Sequence, residues 1–210
     1  MSIAQKAIGH ALKIQQRLEG WSPGKILVLG AGALGLFLTM ARRSKEYEVY
    51  TFDISDSDSL KAKTVQKTGG KYVGATETTI EKFAHDAGWP DLIFEATGNS
   101  ELVFSAINIL NQDGAMCLLG VAGRDHSAQI CLGCLNNHIV LGNRALFGSV
   151  SSARTHFEEA IETAKKVNDL WPGVLNSAIT NDMSLTEYEK AFQKKQAYQI
   201  KGVIHMDGET

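Results

Sequence analysis

The chain has 210 residues, 44% of them hydrophobic and 21% charged, enough to bury a core without help from disulfides or metals, which excludes a disordered or fibrous protein. With 21 Lys+Arg against 23 Asp+Glu and a net charge of -2, its scattered bases leave no electrostatic footprint for nucleic acid or an acidic membrane. The apolar run from Lys25 to Met40 is broken by glycines and too short for a membrane span of ~20 residues, and no basic-then-apolar leader opens the chain, so a soluble, cytoplasmic protein is expected.

In chain order, Ile3, Ala7, Ile8, Ala11, Leu12, Ile14 and Leu18 share one helix face before Gly20, Pro23 and Gly24 stop the pattern. Residues 1–22 therefore read as a leading helix that must dock on something. Strand-like apolar runs follow at Lys25–Leu29, Glu48–Phe52, Lys71–Val73, Asp91–Glu95, Ala115–Leu119 and Ala145–Val150. Between them Leu34–Arg43, Ser59–Thr68, Thr79–Ala87 and Glu101–Leu110 carry apolar residues three and four apart, as crossover helices require. Continuous apolar strands joined by helices predict a doubly wound α/β fold, a six-stranded parallel sheet over residues 23–168. After Val150 the pattern predicts a helix over Ala153–Asn168, a break at Pro172-Gly173, a strand at Ala178–Thr180, a helix over Thr186–Lys195 and a last strand at Ile200–His205. Residues 169–210 are too few for an independent domain and read as a short α+β extension that packs on another part of the molecule.

The most informative segment is Gly30-Ala-Gly32-Ala33-Leu34-Gly35, a G-x-G-x-x-G that directly follows one predicted strand and opens the next predicted helix. In that context the first glycine makes a sharp turn, the second keeps a Cβ out of the path of a pyrophosphate, and the third lets helix and strand approach closely. The helix N-terminus adds free N–H groups and a positive dipole. Asp53 ends the second strand, 18 residues past Gly35, where a carboxylate accepts hydrogen bonds from a ribose and repels a 2′-phosphate. Together these predict a Rossmann-type nicotinamide-dinucleotide site that favours NAD over NADP. The acids Asp56 and Asp58 lack the glycine and terminal glutamate of a calcium loop and read as solvated or capping.

Ligands of such sheets bind beyond the carboxyl ends of the strands, so Ile54, Thr97, Gly98, Val121, Ser149 and Ser151 join Gly30, Gly32, Ala33, Leu34, Gly35 and Asp53 as candidate cofactor contacts. Cys131-Leu-Gly-Cys134 with His138 has a metal-ligand spacing, but a four-coordinate site needs a further ligand, and the three cysteines read instead as reduced, small buried hydrophobes. His126, His138 and His156 are the remaining candidates for proton relays, with surface or capping roles favoured. Neither a nucleophile elbow nor a paired-carboxylate site is evident.

GAGALGLF, IFEATG at 93–98, LLGVAG at 118–123 and, most specifically, VLGNRALFGSV at 140–150 followed by HFEEAI at 156–161 resemble the zinc-containing medium-chain dehydrogenase/reductase superfamily. The similarity is greatest to its glucose dehydrogenase branch and runs from about Ser2 to His205. The resemblance implies oxidation of a sugar or alcohol by hydride transfer to nicotinamide. It also implies a GroES-like catalytic domain of about 150 residues ahead of this segment, which holds the zinc, so that this chain carries no catalytic or metal residues and is inactive alone. It further implies that residues 169–210 pack on that domain and that strand Ala145–Val150 forms the edge of a homodimer. Ser151 stands where the branch often has Asn, and Asp53 where NADP-preferring relatives are followed by bases. A self-standing NAD(H) sensor or interaction module is the alternative reading, and a Rossmann-type methyltransferase fits the glycine spacing least well.

Overall fold

A computed structural model describes residues 1–123, 127–193 and 198–206. Six parallel strands form one sheet in the order β3-β2-β1-β4-β5-β6. They are β1 (Lys25–Leu29), β2 (Glu48–Asp53), β3 (Lys71–Gly74), β4 (Leu92–Glu95), β5 (Ala115–Leu118) and β6 (Ala145–Gly148). All six lie where the apolar runs predict them, within one or two residues. The chain winds outward from β1 to β3, then returns past β1 to β4, so the switch in direction lies between β1 and β4.

Side-chain alternation along β1 fills two cores. Ile26 and Val28 face α1 (Ser2–Gln15) and α2 (Ala33–Arg43), where they meet Ala4, Ala7, Ile8, Ala11, Leu38 and Phe94. Leu27 and Leu29 face α4 (Ile80–Ala87) and α5 (Ser100–Asn108), against Phe83, Ile93, Ile107 and Met116. Burial of a strand on both faces is the reason these runs are continuously apolar. The leading helix therefore docks on this face of the sheet beside α2 and the later helix Arg154–Leu170, through Ala4, Ala7, Ile8 and Ala11. Ile3, expected in the buried stripe, is 41% exposed, and the helix ends at Gln15, short of Leu18. Gln15 is buried there, its side-chain amide donating to the Asp113 carbonyl.

One helix escapes the sequence pattern. α6 (Leu132–Leu141) has no fully buried residue, and its most apolar members, Leu132, Val140 and Leu141, are 74, 64 and 79% exposed. Only Leu135, His138 and Ile139 lean inward, so no apolar stripe reads at helical period. The expected state of two cysteines is also overturned. Cys131 and Cys134, read as reduced and buried, are exposed and joined in a disulfide, because the first turn of α6 brings residues three apart onto one face. Cys117 is the free, buried thiol that the composition suggested.

After β6, α7 (Arg154–Leu170) lies against α1, and Gly173 (φ +77°) turns the chain into α8 (Val174–Ser177). β7 (Ile179–Ser184) and β8 (Lys201–His205) pair with each other in a separate parallel ribbon. The helix expected over Thr186–Lys195 is a 3-10 helix over Leu185–Phe192, and Lys194 and Lys195 lie outside the described residues. Val174, Ala178 and Ile200 pack on Leu36, Met40 and Val65, which binds the last segment to the outer face of α2 and to α3 (Leu60–Lys67). Its other side presents Leu185, Tyr188, Phe192 and Tyr198 to solvent, 46, 49, 82 and 63% exposed.

Candidate functional site

The glycine turn joins the end of β1 to α2 at the switch point. Gly30 takes φ +97° and its N–H donates to the Phe52 carbonyl at 2.8 Å. A Cβ on Gly35 would lie 1.8 Å from the Gly30 carbonyl oxygen, so only glycine lets α2 sit this close to the strand. Gly32 is the N-cap of α2 and no side chain caps that end. A Cβ built there meets nothing within 4 Å, so the space ahead of the helix N-terminus is open. Ala33 and Leu34 form the first turn, whose N–H groups face the same opening.

Asp53, the last residue of β2, is half-buried beside this turn. Its Oδ2 accepts from Ala31 N–H at 2.7 Å and its Oδ1 from Ser55 N–H at 2.9 Å. A carboxylate has about four acceptor positions, so roughly two remain for a ligand. Ile54, 78% exposed, presents an aliphatic side chain next to it. The Tyr72 hydroxyl donates to the Ser55 carbonyl at 2.5 Å. Burial first, and then the charges of Asp53, Asp56 and Glu77, push its ionisation well above the usual phenol range. The end of β2 is thus a negative environment, with Lys61 nearby, its Nζ 3.2 Å from Ser55 Oγ. A cavity of about 420 Å³ opens between residues 54–61 and Tyr198.

Across the crevice, the ends of β4 and β5 are tied together by a residue not singled out from the sequence. Glu95 is 1% exposed. Its Oε1 accepts from Thr97 N–H at 2.6 Å, Thr97 Oγ1 at 2.5 Å and Gly98 N–H at 2.8 Å, and its Oε2 from Gly120 N–H at 3.2 Å. Gly98 takes φ +73°, and a Cβ on it would be 2.5 Å from the Val121 carbonyl oxygen. One carboxylate therefore sets the positions of Thr97, Gly98 and, through Gly120, Val121, whose side chain is 87% exposed. The signal available in the sequence was a charged residue closing an otherwise continuous apolar run, since a buried carboxylate needs donors to offset its desolvation.

Ser149 and Ser151 follow β6. Ser149 N–H donates to the Leu118 carbonyl at 3.0 Å, which places it beside the end of β5. Its Oγ and that of Ser152 are buried with no protein partner among the described residues. Unpaired buried hydroxyls are costly and await a polar partner. Ser151 holds φ +63°, unusual for a non-glycine residue. All twelve sequence-selected positions thus lie at the carboxyl ends of β1, β2, β4, β5 and β6. The open N-terminus of α2, the spare acceptors of Asp53 and the orphaned hydroxyl of Ser149 fit a dinucleotide stretched along that edge.

The remaining candidates have structural roles. His138 Nε2 is 2.9 Å from the Ile107 carbonyl oxygen, and His156 Nδ1 accepts from Ala153 N–H at 2.9 Å, a helix-capping contact. His126 lies outside the described residues. Among the described residues no group of three His, Cys, Asp or Glu side chains is placed to hold a metal ion, and no helix is long and apolar enough to cross a membrane. These residues do not fit a zinc ion.

Residues 1–206 match the family described as glucose dehydrogenase C-terminus. The chain is 37% identical to glucose 1-dehydrogenase of Methanocella arvoryzae over 193 residues, covering 92% of this chain and 54% of that protein. It is 34% identical to glucose 1-dehydrogenase 2 of Vulcanisaeta moutnovskia, over 91% of this chain and 53% of that one. Among solved structures, glucose dehydrogenase of Haloferax mediterranei in complex with NADP, Zn and gluconolactone superposes with a TM-score of 0.89 at 29% identity, covering all of this chain and 58% of its own. The alcohol dehydrogenase of Thermotoga maritima shares the fold, with a TM-score of 0.72 at 23% identity over 90% of this chain and 50% of its own. The chain spans about half the length of the curated relatives it matches. With a glycine turn, an acidic second-strand end and a match along nearly its whole length, the chain belongs to the glucose dehydrogenase C-terminal family.

Proposed function

We propose that this chain is the NAD(H)-binding part of a zinc-dependent sugar or alcohol dehydrogenase of the glucose 1-dehydrogenase type, and that it is inactive by itself. When bound, the nicotinamide would take up the hydride released from the substrate's hydroxyl-bearing carbon. In this reading the first turn of α2 holds the pyrophosphate through N–H groups of Gly32, Ala33 and Leu34. Asp53 accepts from the adenosine ribose hydroxyls, and Ile54 lies along the purine. Thr97, Gly98 and Val121, set by Glu95, line the nicotinamide side, where Ser149 Oγ gains the partner it lacks and Ser151 lies alongside. In this reading substrate orientation and zinc belong to a catalytic half outside this chain, and without a held substrate no hydride transfer occurs. The division we infer is a leading helix over 1–22, a dinucleotide domain over 23–168 and a two-faced extension over 169–210. The exposed Leu185, Tyr188, Phe192 and Tyr198 on that extension would meet the catalytic half. Homodimerisation through β6 and a cytoplasmic location, where a soluble dinucleotide pool is available, complete the reading.

The observation that carries this proposal is Asp53 placed against the glycine turn, with its Oδ2 bonded to Ala31 N–H. It also sets the cofactor preference. The Haloferax relative was solved with NADP, whereas here the charges of Asp53, Asp56 and Glu77 all reach the Tyr72 hydroxyl at the end of β2, and in our reading that negative environment repels a 2′-phosphate and favours NAD. Calorimetric titration with NADH and NADPH tests it. Saturable NADH binding, at least tenfold tighter than NADPH (about 1.4 kcal/mol), is expected. Equal or tighter NADPH binding overturns the preference. Binding of neither overturns the dinucleotide reading and favours a self-standing interaction module.

A further inference from the structure

We propose that the Cys131–Cys134 pair is a thiol–disulfide exchange centre, oxidised and reduced by low-molecular-weight thiols and disulfides of the glutathione type. The pair is separated by two residues and sits at the start of a ten-residue helix, with Cys131 as its N-cap and the Cys134 N–H donating to Cys131 Sγ at 3.3 Å. That N–H and the helix dipole stabilise a thiolate on Cys131 once the bond opens.

Accessibility separates this pair from a structural disulfide. Both cysteines are exposed, and Leu132 between them is 74% exposed. Cys117, by contrast, is buried in β5, and burial pushes its thiol up to about 12. The bond also has little to hold together. It closes a loop of the shortest kind, where the entropy removed from the unfolded chain is least. α6 is anchored without it, by the His138 contact to the Ile107 carbonyl, by Leu135 against the core and by Arg144 Nε donating to the Leu110 carbonyl just beyond its end. Metal storage by the dithiol has no support, since among the described residues no third ligand lies near. Because Asp113 N–H donates to the Gly142 carbonyl, the far end of α6 lies at the amino edge of the sheet, and Cys131 and Cys134 lie toward the opposite, carboxyl edge.

The exchange balances as two substitutions at sulfur. An external thiolate attacks Cys131 Sγ; the S–S bond breaks, and its electron pair leaves on Cys134, which takes a proton from solvent. A second external thiolate attacks the outer sulfur of the mixed disulfide, and Cys131 leaves as the stabilised thiolate. The protein gains two electrons and one proton, which rests on Cys134, and two external thiolates become one disulfide.

The test is equilibration of the native full chain in buffers of graded reduced-to-oxidised glutathione ratio, followed by alkylation, peptide mass analysis and melting of each form. A reversible two-electron transition confined to Cys131 and Cys134 is expected, with Cys117 unmodified and the two forms melting within about 3 °C of each other. Cys134→Ser should accumulate a glutathione adduct on Cys131. Cys131→Ser should form the Cys134 adduct at least tenfold more slowly. Three results would overturn the proposal: a bond that yields only after denaturation, a dithiol that stays reduced in excess oxidised glutathione, or stoichiometric zinc uptake by the reduced pair. This inference does not depend on dinucleotide binding.

Discussion

Glu95 shows how much of the site rests on one buried charge. Its side chain accepts four hydrogen bonds, from Thr97, Gly98 and Gly120, at two strand ends that are also joined by Leu119 and Gly120 N–H donating to the Glu95 backbone carbonyl. Glu95→Gln replaces one accepting oxygen with an amide donor that faces another donor, leaving at least one buried group unpaired at a cost of about 2 kcal/mol. For a chain of this size that lowers Tm by roughly 4–8 °C. In the proposed reading the loops it sets face the nicotinamide, whereas the Asp53 carboxylate is held by Ala31 and Ser55 N–H. Calorimetry on Glu95→Gln should therefore show NADH binding weakened about tenfold (~1.4 kcal/mol) while ADP-ribose binding is unchanged. Equal losses for both ligands would mean that Glu95 acts only on the fold.

At the scale of the elements, what the sequence revealed tracks how completely each is buried. β1, β4 and β5 are apolar on both faces, and their positions follow from hydrophobic runs alone. The glycine turn and Asp53 were equally legible, because fixed spacing after a strand carries a geometric requirement. α6 was illegible because its apolar residues face outward, and the disulfide with it, since spacing cannot distinguish a paired from an unpaired C-x-x-C. Glu95 was hidden for the opposite reason, a charge whose partners are backbone N–H groups that no side-chain pattern encodes. Cys117 gives β5 a measurable pH signature. Its thiol is raised by burial from 9.0 to about 12, so the folded state prefers the neutral form. Its contribution is fully present below the unfolded pKa and is lost as pH rises from 9.0 toward about 12. Denaturant unfolding of the native chain should show an alkaline decline that is shallower in Cys117→Ala, by at most about 1.4 kcal/mol per pH unit. Identical slopes would mean that the thiol ionises alike in both states.

For the whole molecule the open question is how the sheet ends. β3 closes one side and β6 the other, and β6 is only four residues long. Ala145 and Ser149 donate their N–H groups inward, to Gly114 and Leu118, so by alternation Leu146 and Gly148 direct theirs away from the sheet. Exposed apolar residues lie on both sides of this strand in the chain, Val140 and Leu141 before it and Val150 after it, at 64, 79 and 74% exposure. An unpaired edge flanked by apolar surface is a hazard unless another strand covers it, and a second copy placed about a twofold axis does so with the same surface on both partners. Sedimentation equilibrium at tens of micromolar protein, on the order of what an obligate pair requires, should therefore give a dimer. Gly148→Pro removes one outward N–H and leaves the inward bonds to β5 intact, so it should shift the molecule toward monomer without unfolding the sheet. A wild-type chain that sediments as a monomer would rule out the β6 interface, and a Gly148→Pro chain that remains fully dimeric would place the contact elsewhere.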